Sequence, residues 1–155
     1  MSVAFRREGD DEHKEPRFEL PLPPGPNLVT RAGLADMERR LAEAEATLAG
    51  ANDAEARTAA QRDLRYWRTR VSTAQVTAAP ADGSAGFGTR IRFRLNGSAR
   101  TIALVGSDQA DPAAGLVPFT APLAMAMTGA EAGESVDFGG RADAIEILAI
   151  EPIEP

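Results

Sequence analysis

Between Thr30 and Val76 apolar residues return every three or four positions. Leu34, Met37, Leu41, Ala44 and Leu48 form one series, and Ala60, Leu64, Trp67, Val71 and Ala74 form a second. Alternating steps of three and four hold each series on one face of a helix, as in a coiled-coil seam. Thr30 suits the N-cap of the first helix and Gly50 its stop. Asn52, with Glu55 three residues later, reads as a capping box opening the second, and Asp53 in its first turn complements the helix dipole. Two seams joined by a short turn predict an antiparallel helical hairpin over residues 30–76. Each arm is about 20 residues, hence roughly 30 Å long. Trp67 lies on the seam and is expected in its core.

From about Pro80 the period changes to two. In TRIRFRL, Ile91, Phe93 and Leu95 face one way and Arg90, Arg92 and Arg94 the other. Asn96-Gly97 is a strong hairpin signal, and ARTIALV returns as the partner strand. ESVDF and AIEILAI read as further strands. Between them APLAMAMTG suits a short helix with Pro122 in its first turn, where the missing N–H is harmless, and with Leu123, Ala126 and Met127 towards the sheet. The preceding loop reverses the chain and is expected to hold Asp108 and Asp111 at the surface. A hairpin of helices followed by an antiparallel sheet with one short helix makes the fold class α+β.

Residues 1–29 follow neither period. DDEHKE precedes PLPPGP, and Pro21, Pro23, Pro24 and Pro26 exclude a helix or a central strand there. This stretch reads as an extended or disordered arm of polyproline II character, a linker or a docking strand anchored by Phe5 or Phe18. Seventeen basic residues against 23 acidic ones give a net charge of −6, which argues against nucleic acid as the primary ligand. There are no cysteines, excluding disulfides and thiolate metal sites. The start lacks the apolar run of a signal peptide and no stretch is long enough to span a membrane, so a cytoplasmic protein is expected.

Enzyme signatures are sparse. The one histidine, His13, stands in the charged arm without a partner for nucleophilic or metal catalysis. Gly86 and Gly88 in AGFGTR match neither a P-loop nor a dinucleotide fingerprint, and a tight turn into a strand explains them.

The C-terminal segment resembles the C-terminal domain of the bacterial transcript-cleavage factors GreA and GreB. The resemblance runs through Val105-Gly106, Gln109-Ala110-Asp111-Pro112, Gly115, Val117, Pro122-Leu123-Ala124, Ala126, Gly129, Gly133 and Val136. PNLVTRAGL is similar to the start of that family's first helix and TAQV to its interdomain junction, so the likeness covers about residues 27–152. It implies an FKBP-like C-terminal domain over residues 80–155 and RNA polymerase as partner. It also implies docking at the rim of the secondary channel through Asp108, Asp111, Pro122 and Leu123. A plain helix start explains Pro122 and Leu123 equally, and a solvated turn the two aspartates.

The family carries an Asp and a Glu, with two residues between them, at the hairpin tip, where they help hold a catalytic Mg²⁺ of the polymerase. Here Asp53 falls at the Glu position and Gly50 at the Asp position, with Glu55 as a loose substitute. The arms are also shorter than the family's, by about two heptads in the first and one in the second, and two heptads are roughly 20 Å of reach. The chain thus resembles short-hairpin, Rnk-like members: a monomer that occupies the channel without chemistry, cofactor or sequence-specific DNA binding of its own. Two alternatives stand beside this: a cleavage factor delivering Asp53 and Glu55 to the Mg²⁺, and a prolyl isomerase, which Phe87, Phe93, Phe119 and Phe138 are too few to support. Arg57, Arg62, Arg65, Arg68 and Arg70 make the return helix basic, whereas the stretch from Thr77 onward has five Arg against ten acidic residues. A basic hairpin fits a pore lined with carboxylates or a passing transcript, though a solvated helix exterior explains it too.

Overall fold

The computed structural model describes residues 19–153. His13, Phe5 and Phe18 lie outside them. The element order is β1 (Leu28–Val29), α1 (Arg31–Ala49), α2 (Ala54–Thr73), β2 (Gln75–Val76), β3 (Thr89–Leu95), β4 (Ser98–Val105), β5 (Leu116–Pro118), α3 (Pro122–Met127), β6 (Ser135–Phe138) and β7 (Arg141–Pro152).

The two apolar series zip α1 to α2. Met37, Ala44, Ala60 and Leu64 are buried, and the remaining seam positions are half-buried. Thr30 caps α1, its hydroxyl accepting from the Gly33 amide at 2.9 Å. The cap of α2 differs from expectation. Asp53, not Asn52, is the N-cap, and its carboxylate accepts from the Ala56 amide at 2.8 Å. Asn52 remains in the turn, and Gly50 ends α1 at φ −93° rather than in a left-handed conformation.

At the base of the hairpin β1 pairs parallel with β2, Leu28 opposite Gln75 and Val29 opposite Val76. The expected proline-rich arm thus ends in two residues that join the chain's entrance to the hairpin with its exit.

The second region is a five-stranded sheet in the order β5-β4-β3-β7-β6. Asn96 and Gly97 both take positive φ, 50° and 87°, as a two-residue turn between right-twisted strands demands. Ile91 and Phe93 from β3, Leu104 from β4 and Ile145 and Ile147 from β7 are sealed beneath α3, whose Ala124 and Met127 complete the core. The sheet is mixed rather than wholly antiparallel, since β4 and β5 run parallel. A tight turn after Val105 would have forced an antiparallel return. Instead the connection Gly106–Gly115 makes two 3₁₀ turns, Ser107–Gln109 and Pro112–Ala114, and carries the chain back before it enters β5.

Candidate functional site

The loop after β4 does something its composition hid. It was expected to hold Asp108 in solvent, yet that side chain is only 9% exposed. The hairpin lies across it. Arg70 of α2, itself 5% exposed, donates from Nε to Asp108 Oδ2 at 2.6 Å, and the Tyr66 hydroxyl donates to Oδ1 at 2.5 Å. Arg70 Nη2 donates to Asn27 Oδ1 at 2.8 Å, and the Asn27 amide donates back to the Arg70 carbonyl. Next to this cluster the Thr30 hydroxyl donates to Gln109 Oε1 at 2.8 Å. Gly106 closes the joint: a Cβ there would stand 2.4 Å from the Leu28 carbonyl oxygen, so only glycine lets β1 approach this closely.

Six side chains from three distant segments therefore lock the hairpin onto the loop. A buried ion pair is retained at such a place only when its remaining donors and acceptors are also satisfied, and here they are. Burial, then the bond to Asp108, pushes the Tyr66 hydroxyl up to about 12. The sequence reading missed Tyr66, Arg70, Asn27 and Gln109 because no local period links positions 38 or more residues apart. The one trace was Arg70, an arginine beside the seam residue Val71, where a charge has to find a partner.

The other surface residues stay where they were expected. Asp111 is exposed between the two 3₁₀ turns, and Pro122 is exposed at the first turn of α3. Leu123 is half-buried and packs against the core cluster. Met125, one turn into α3 and 64% exposed, adds an apolar side chain to this face. Asp108 does not belong with them.

At the opposite end of the hairpin, Asp53 and Glu55 are both exposed, but they differ in freedom. One Asp53 oxygen is tied to its own helix as the N-cap. Gly50 contributes no acid and serves as the C-cap of α1. Arms of 19 and 20 residues give a finger about 30 Å long. Along its flank Arg40 stacks over the Trp67 ring, 5.1 Å from the centroid, leaving Trp67 half-buried rather than in the seam's dry interior.

The four phenylalanines beyond Pro80 are consumed by packing. Phe93 is fully buried, Phe87 meets Phe119 edge to face at 5.5 Å, and Phe119 and Phe138 lie against the core.

Residues 80–152 match the family model described as "Transcription elongation factor, GreA/GreB, C-term". No curated protein matches the chain. Among solved structures, the GreA factor homolog 1 (Gfh1) of Thermus thermophilus is 18% identical, covering 82% of this chain and 99% of that one, with a TM-score of 0.36. Gfh1 of Thermus aquaticus is 18% identical over 81% and 98%, with a TM-score of 0.38. A GreA/GreB factor from Nitrosomonas europaea is 15% identical over 82% and 98%, with a TM-score of 0.37.

Proposed function

Through residues 80–152 the chain belongs to the GreA/GreB family, and on that premise we propose that it binds RNA polymerase, enters the secondary channel with its hairpin and does not cleave transcripts. The face carrying Asp111, Pro122, Leu123 and Met125 docks at the channel rim. The hairpin passes inward with its basic return helix towards anionic surroundings. The network around Asp108 holds the finger at a fixed angle to the docking face. Modulation comes from occupying the channel, and the chain supplies no reacting group.

The observation that carries this reading is the length of the finger. The arms are 19 and 20 residues, about 30 Å, and against the longer arms that the family resemblance implies they lose roughly 20 Å of reach. Chemistry at the tip agrees. Mg²⁺ is held by one or two carboxylates with its other ligands water or substrate oxygens. The residues present fit it poorly, since one of the two acids is engaged as a helix cap.

The test is to add the purified chain to RNA polymerase and to stalled, backtracked complexes. It should bind at micromolar concentration and leave transcripts unshortened. Failure to bind ends the proposal, and shortened transcripts would favour delivery of Asp53 and Glu55 to the metal instead.

A further inference from the structure

The proline-rich arm has so far no task, yet its described part does not stand free of the hairpin. Glu19 reaches α2, 46 residues on, and receives both donors of one guanidinium, Arg65 Nε at 2.8 Å and Nη2 at 2.5 Å. Those bonds hold its carboxyl below the usual glutamate range. Leu20 and Leu22, 37% and 52% exposed, line an open cleft of about 540 Å³ against Arg62, Arg68 and Thr69. The stripe Thr58, Arg62, Arg65, Arg68, Ser72 runs along one outer face of α2 and holds no acid of its own. Asp63 bonds Arg62 from beside it, and among the described residues Arg68 has no ion-pair partner.

We propose that residues 19–26 of the arm are a detachable cover for this basic face, with Glu19 occupying the place on Arg65 that a backbone phosphate of a single-stranded RNA would take. Its C-terminal end is fixed, because Asn27 is buried and bonded to Arg70 and Thr73. Four prolines between the two ends restrict the chain beforehand, so laying it on the helix forfeits little entropy. The other end is loose. Glu19 and Arg65 are each 52% exposed, the class of ion pair that solvent and salt weaken most, and the described residues of the arm leave the cleft behind it open. The RNA phosphate competes with Glu19 for Arg65, and the arm swings off when it wins. The proposal rests on the polymerase reading only in that a passing transcript is the RNA brought beside α2.

The experiment therefore uses a short single-stranded RNA as a polyanionic probe, without polymerase, at low salt. Glu19→Gln should tighten RNA binding about two- to fivefold, the range such an exposed pair controls. In an Arg65→Gln background the same change should do nothing. No effect of Glu19→Gln alone, or an equal effect in both backgrounds, overturns the proposal. As a second readout, a spin label on Leu22→Cys, in a chain with no cysteine, should broaden the amide signals of Arg65–Ser72, and less so with Glu19→Gln. Labels that broaden nothing on α2 refute the cover directly.

Discussion

Asp108 illustrates how much one residue's role depends on what folds over it. In the sequence it is an acid in a loop rich in Pro, Gly and Ala, which by composition belongs in water. In the structure it neutralises Arg70 and accepts from Tyr66 under the hairpin. Because the chain has one tyrosine, absorbance titration reads this site alone. The wild type should ionise near 12, and Asp108→Asn should bring that midpoint down, since a bond and a nearby negative charge are both lost. A folded-state value above the unfolded one means that stability is fully present below pH 10 and is lost as pH rises towards 12. The same substitution leaves a buried guanidinium without its counter-charge and should cost about 3 kcal/mol in denaturant unfolding. A midpoint and stability unchanged by Asp108→Asn would show that the network holds nothing.

Whole elements were far more legible than this residue. The seam of α1 and α2, the alternation of β3, the Asn96-Gly97 turn and Pro122 at the start of α3 all follow from periods and turn chemistry that act within a few residues. The failures have two causes: Asp108 and Trp67 depended on distant partners, Arg70 and Arg40, that the local sequence does not contain, and the rest turned on the exact path of a loop. Asp53 replaced Asn52 as a cap by a shift of one residue in the turn, and β5 ran parallel because two 3₁₀ turns re-aimed the chain. The length of the hairpin, being a local property, was readable directly. It yields a test that separates tip chemistry from reach. Gly50→Asp, restoring an acid at the tip, should leave transcripts uncleaved. Adding about two heptads to the first arm and one to the second, with that acid present, should produce cleavage, provided the register of the seam is kept. Cleavage by Gly50→Asp at native length would show that reach is not limiting.

At the scale of the molecule, two rigid parts meet at one joint. The sheet and α3 form a packed module with an exposed face around Pro122 and Met125, and the hairpin is a stiff pointer. The β1–β2 pair, the contact at Gly106 and the Arg70–Asp108 bond hold their relative angle. If the sheet module docks as proposed, its position dictates where the hairpin ends, and finger length becomes depth within the channel. The absence of native cysteine makes that depth measurable. The most direct measurement places a photo-crosslinker on Asn52→Cys, at the exposed tip and outside every cap, and maps its products in a backtracked polymerase complex. The account predicts crosslinks to the channel wall alone; crosslinks to the RNA 3′ end or the catalytic centre would contradict it.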